Sequence, residues 1–269
     1  MNTNTFRLIT LTTDFGLQDE YAGLMKGVIH SIHPDIPVVD LTHQIPPHDL
    51  EWSAYMIYYG FHYFPEGSIH VIVVDPGVGS SRQIKLMEAD GHYFLFPDNG
   101  LITKVYARYE PEVIWSITNR EYYLEYVSNT FHGRDIFAPV AAHLSKGIHP
   151  STLGVRSREL NLLSLNQPQC SEKEIVGHVI HIDRFGNLIT NIESKQVNTL
   201  TGNFEELTIY MAHHTLKGIA QSYSERNAGE PLAIIGSRDL LEVAVNKRHA
   251  ASILDCKKGD EVRLMLSSG

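Results

Sequence analysis

The chain has 269 residues, 43% hydrophobic and 20% charged, a composition that suits a folded globular protein and argues against disorder. Its 22 basic and 31 acidic side chains give a formal charge of −9, and its basic clusters, Lys247-Arg248 and Lys257-Lys258, are too short to track a phosphate backbone, so nucleic acid is excluded as a partner. No stretch approaches the roughly 18 apolar residues of a membrane helix. Met1 to Thr5 is polar and lacks a secretion-signal pattern, and neither Cys170 nor Cys256 belongs to a CxxC pair, so a cytoplasmic protein with free thiols is expected.

In chain order, the first half alternates strand and helix signals. Leu8 to Thr12 reads as a strand ending in the turn Thr13-Asp14-Phe15-Gly16, and Asp19 to His33 as a helix stopped by Pro34. A strand over Pro37 to Leu41 and a helix over Asp49 to Tyr63 follow. Ser68 to Val74 is nearly all apolar, the pattern of a parallel strand buried on both faces. Gln83 to Glu88 and His92 to Phe96 read as a hairpin joined at Asp90-Gly91. Gly100 to Tyr109 reads as helix, Val113 to Ile117 as strand, and Arg134 to Lys146 as a helix closed by Gly147. This predicts an α/β domain over residues 1–155, built on an open, mostly parallel sheet.

From Ser151 to Glu174 the chain is polar with few periodic signals, and a linker is expected over about 156–172. Short strands with turns then run over Ile175–Ile182, Leu188–Ile192, Leu207–Ala212, Leu232–Ile235, Leu241–Val245 and Glu261–Leu266. They predict a smaller, mostly antiparallel β domain over 173–269.

In open α/β sheets the ligand lies beyond the carboxyl ends of the strands. Asp14 and the segment Asp75-Pro76-Gly77-Val78-Gly79-Ser80-Ser81-Arg82 both follow strands in that position. Asp14 suits either a ribose-hydroxyl acceptor or a turn or helix cap. Asp75 and Arg82 can pair, and the glycines allow close backbone approach to a ligand; the segment lacks the lysine of a phosphate loop and the third glycine of a dinucleotide fingerprint. Phe131-His132-Gly133-Arg134-Asp135 stands at a helix start, which favours a neutral imidazole at His132. Asp183-Arg184-Phe185-Gly186-Asn187 and Gly236-Ser237-Arg238-Asp239 each read first as turns. A metal hydrolase is disfavoured: there is no H-E-x-x-H, and in a strand the adjacent His213 and His214 would point to opposite faces.

These clusters, with Phe96-Pro97-Asp98-Asn99-Gly100 and in this order, resemble the SAM hydroxide adenosyltransferase family, the adenosine-forming S-adenosyl-L-methionine (SAM) hydrolases related to fluorinase and chlorinase. The resemblance runs from about Arg7 to about Leu266. It implies a catalytic set of Asp75, Arg82 and His132, with Asp14 on the ribose hydroxyls. It also implies substrate contacts from Phe131, Gly133, Asp183, Asn187, Ser237 and Arg238 on the methionine and adenine sides. It implies no cofactor and no metal, SAM as substrate and adenosine as product, and a homotrimer with sites between subunits.

Two departures from the halogenating relatives point to water as the nucleophile. Those relatives carry an extra loop where this chain runs directly from Gln83-Ile84-Lys85 to His92-Tyr93-Phe94. The fluorinase has a serine where this chain has Gly133 and a tyrosine where it has Asp75. A non-catalytic module binding adenosine or SAM, or a halide-dependent SAM transferase, is the alternative. The set Asp75, Arg82 and His132 discriminates against the first, since a pure binder has no need of it.

Overall fold

The computed structural model describes residues 8–266; the Met1–Thr5 stretch and Arg7 lie outside them. The chain divides into two compact units between Ser164 and Leu165. The first contains strands β1 (Ile9–Thr13), β2 (Val38–Thr42), β3 (Ile69–Val73), β4 (Ile84–Ala89), β5 (His92–Pro97), β6 (Val113–Ile117) and β7 (Gly154–Arg156). Its helices are α1 (Tyr21–Ile32), α2 (Leu50–Gly60), α3 (Thr103–Arg108), α4 (Ala138–Ser145) and the single turn α5 (Pro150–Leu153).

The strands form one sheet in the order β2-β1-β3-β5-β4-β6-β7. β1 and β3 are buried along their whole length, as continuous apolar runs require. Period-2 alternation sends Ile9, Leu11, Val71 and Val73 into the core shared with Met25 and Ile29 of α1 and with α4. Thr10, His70 and Phe94 face the other side, where Phe61 packs edge-on against His70 and Phe94.

Two sequence expectations are corrected here, and the stretch that holds the expected linker is seen in detail. The sheet is mixed: the pairings from β2 to β5 are parallel, those from β5 to β7 antiparallel. The cause is the Asp90-Gly91 turn, with φ of 51° and 73°, which folds β4 and β5 into a tight hairpin. β5 lies beside β3, and β4 takes the outer position. The helix expected over Arg134–Lys146 opens as a π-helical turn over Gly133–Phe137 before α4. Pro139 lacks the N–H that would bond Asp135, so that carbonyl accepts from Leu124 at 2.9 Å instead. The polar stretch 151–174 carries structure: β7 extends the sheet, and Asp98 accepts from the Asn161 N–H at 2.8 Å.

The second unit holds β8 (Gln169–Cys170), β9 (Glu174–Ile182), β10 (Leu188–Glu193), β11 (Leu207–Met211), β12 (His214–Lys217), β13 (Pro231–Ile235), β14 (Leu240–Val245) and β15 (Glu261–Leu266). Helices α6 (Ser194–Leu200) and α7 (Ala250–Ile253) accompany them. The sheet order is β12-β11-β15-β9-β10-β14-β13, with β8 added to β9, and every pairing is antiparallel. A bridge between Ala220 and Ile234 brings its two ends together, so the sheet nearly closes around the apolar core. His213 belongs to a turn and only His214 to a strand, so the opposite-faces expectation for that pair does not apply.

Candidate active site

β1 and β3 are adjacent and parallel, with Thr13 opposite Val73, so Asp14 and Asp75 leave the sheet at the same carboxyl edge. The Asp14 carboxylate accepts from the His48 backbone N–H at 2.9 Å. It caps no helix: the residue preceding α1 is Glu20. After β3 the chain coils tightly from Asp75 to Ser80. Gly79 has φ of +78°, and a Cβ there would stand 2.3 Å from the Asn129 carbonyl oxygen, so only glycine lets this loop lie on the segment leading to His132.

That loop returns Arg82 onto Asp75. Arg82 Nε donates to both carboxylate oxygens, at 3.0 and 2.8 Å, and Nη2 donates to Oδ2 as well. Both side chains are largely buried, at 9% and 4% exposure, so the carboxylate is held in one orientation rather than by a mobile surface pair. Arg82 Nη2 also lies 2.9 Å from His132 Nδ1. Guanidinium only donates, so this Nδ1 is an acceptor and the proton of the neutral ring sits on Nε2. Burial lowers the His132 pKa, and the Arg82 charge lowers it further against the opposing pull of Asp75. Burial, more than the helix start, is what favours the neutral imidazole here.

Phe131 and Gly133 flank His132 in an aromatic pack. Phe131 meets Phe15 and Tyr21 edge-on at 5.7 and 5.1 Å. A Cβ on Gly133 would lie 3.2 Å from Met25 Sδ, Phe131 and Phe15. The Asp135 carboxylate is fully buried and held by Arg134 and the Ser128 N–H.

The second unit contains a cleft of about 940 Å³ lined by Asp183, Asn187, Ser237, Arg238, Tyr223 and Glu242 among others. The first four come from the two segments that read as turns. Asp183 accepts from the N–H groups of Phe185 and Asn187, both at 2.9 Å, and from Asn187 Nδ2 at 3.0 Å, so its turn role is real. Phe185 stands 76% exposed on the same turn. Tyr223 and Glu242 were missed by the sequence reading. The signal for Glu242 was there: it is the one charged residue in Leu240-Leu241-Glu242-Val243-Ala244-Val245. Among the described residues no group of three or more His, Cys, Asp or Glu is placed to hold a metal ion.

The models of the SAM hydroxide adenosyltransferase N-terminal and C-terminal domains match residues 9–154 and 177–263. A protein of Thermus thermophilus named (R)-S-adenosyl-L-methionine hydrolase is 36% identical, over 96% of this chain and all of its own. One of the same name from Methanocaldococcus jannaschii is 32% identical over 98% of both chains. A fluorinase of Nocardia brasiliensis is 27% identical over 96% of both. The crystal structure of an uncharacterized conserved protein from Thermotoga maritima superposes with a TM-score of 0.91 at 35% identity, covering 96% of this chain and 100% of that one.

Proposed function

The chain belongs to the SAM hydroxide adenosyltransferase family, and from that premise we propose that it is an enzyme that hydrolyses SAM to adenosine and L-methionine by in-line attack of water at C5′. The sulfonium leaves as a neutral thioether, so no acid is needed at sulfur. What remains is to place the water in line and keep bulk solvent away. Asp75, fixed by its two-point contact with Arg82, accepts a hydrogen bond from that water. Neutral His132 accepts from Arg82 through Nδ1 and so helps to hold the guanidinium that grips the carboxylate. Positive charge at sulfur falls as the bond breaks, so one oriented carboxylate at the water helps where several around the sulfur would favour the ground state.

Asp14 takes the ribose hydroxyls in this proposal, and Phe131 and Gly133 close against the substrate. Asp183, Asn187, Ser237 and Arg238 hold its methionine and adenine ends. No metal or cofactor takes part in this proposal, and the working form is a cytoplasmic homotrimer, for which light scattering should give three times the 30.3 kDa chain mass. The observation that carries the hydrolytic reading is the clamped Asp75 carboxylate: an anion repels halide but orients water. The direct two-residue hairpin turn between β4 and β5 supports it, since the halogenating relatives carry a loop there.

The test is incubation of the protein with SAM and EDTA, without halide, followed by chromatography. Adenosine and methionine appear together if the proposal holds. Intact SAM, or tight adenosine binding without turnover, would establish the binding-module alternative.

A further inference from the structure

The cleft of the second unit holds a buried carboxyl that no step above uses. Glu242 projects from the middle of β14, is 4% exposed, and lines the cleft with Tyr223, Asp183 and Arg238. Such a group in an apolar strand costs stability unless it has a partner. The hydroxyl of Tyr223 donates to Oε2 at 3.3 Å, long for an O–H···O bond. Burial pushes the Glu242 carboxyl up, Arg238 opposes this, and the charge of Asp183 adds to it. Tyr223 is itself pushed up to about 12 by burial and by Glu242, so it stays a donor. The fold makes room for this carboxyl: a Cβ on Gly236 would stand 1.9 Å from Glu242 Oε1. Gly236 begins the turn that carries Ser237 and Arg238, so an anion and a cation are set side by side on one hairpin.

We propose that Glu242 is a specificity residue of this site: it binds the α-ammonium of a zwitterionic amino-acid group, with the neighbouring Ser237-Arg238 turn taking the α-carboxylate. This rests on the SAM-hydrolase reading and names which part of the substrate this wall recognises. Adjacent opposite charges match an amino-acid end, whereas a purine offers neither formal charge. Asp183 is the less available acid, since three donors of its own turn already occupy it.

The test is steady-state hydrolysis of SAM by Glu242→Gln, with inhibition constants for L-methionine and for adenosine. KM for SAM should rise about 10- to 100-fold, the loss expected for an ionic hydrogen bond. Methionine inhibition should weaken equally, adenosine inhibition should hold within about twofold, and kcat should fall far less than KM rises. If Glu242→Gln does not fold, Tyr223→Phe should shift KM and methionine inhibition in the same direction by a smaller factor. Equal weakening of adenosine, or no change in methionine inhibition, overturns the assignment while leaving the hydrolase reading intact. A wild-type protein that neither binds nor turns over SAM overturns both.

Discussion

Asp75 and Arg82 sit seven positions apart, and their pairing follows from one loop that reverses direction after a buried strand. Because Arg82 holds Asp75 by geometry, Asp75→Asn should keep the fold and leave KM within a few-fold while kcat falls by about 10²- to 10⁴-fold. Equal losses in KM and kcat would remove Asp75 from the water-orienting role. His132 supplies a pH signature. Its Nδ1 accepts from Arg82 only when unprotonated, and its pKa is lowered by burial and by Arg82. Activity should therefore be flat through pH 7 and decline only below the ordinary histidine value of about 6.5. A kcat/KM profile that bends above pH 7 would mean that another group titrates in the working site.

Two elements gain their character from residues that look out of place. Lys85 lies inside β4 at 1% side-chain exposure, and its ammonium donates to Gln83, Ser116 and Ser157 at 2.7–3.0 Å, with Asp98 at 3.8 Å. It ties the chain leaving β7 back onto the sheet. Lys85→Met would strand three acceptors and one carboxylate, so thermal melting should drop by on the order of 10 °C. His70 in β3 bonds Thr10 and His92, and burial, with the charge of His92, lowers its pKa to about 3. The unfolded chain then binds more protons than the folded one between about pH 3 and the unperturbed histidine value of about 6.5. Stability contributed by neutral His70 is complete above that window and is lost as pH falls through it. His70→Gln should therefore flatten the denaturation midpoint's dependence on pH by about one proton. In the π-helical turn, Gly133→Ser meets three neighbours at 3.2 Å. It should cost about 1–3 kcal/mol, read as a lower urea midpoint, and yield no 5′-halogenated product.

At the scale of the molecule, periodicity reached most of the β-strands and the two long helices, because an amphipathic or doubly buried pattern survives in a linear sequence. It also located Asp14, Asp75 and His132 at strand ends and a helix start. It misjudged the sheet as mostly parallel, since strand direction past β5 depends on how the β4–β5 hairpin docks beside β3, a long-range choice with no local periodic signature. Edge strands β7 and β8 escaped notice because two or three exposed residues carry no alternation. The π-helical turn at Gly133–Phe137 was hidden because it needs both Pro139 and the distant Leu124 N–H to form. The sequence by itself determined the two-part organisation of signals, the family, and the residue types available for the reaction, because these are properties of local pattern and motif. Only the tertiary structure decided that Arg82 grips Asp75 in two-point fashion and fixes the His132 tautomer, and that Glu242 lies beside Tyr223 and Arg238. Orientation and desolvation of a charge depend on residues brought together from 7 to 50 positions away, and no short sequence window contains them.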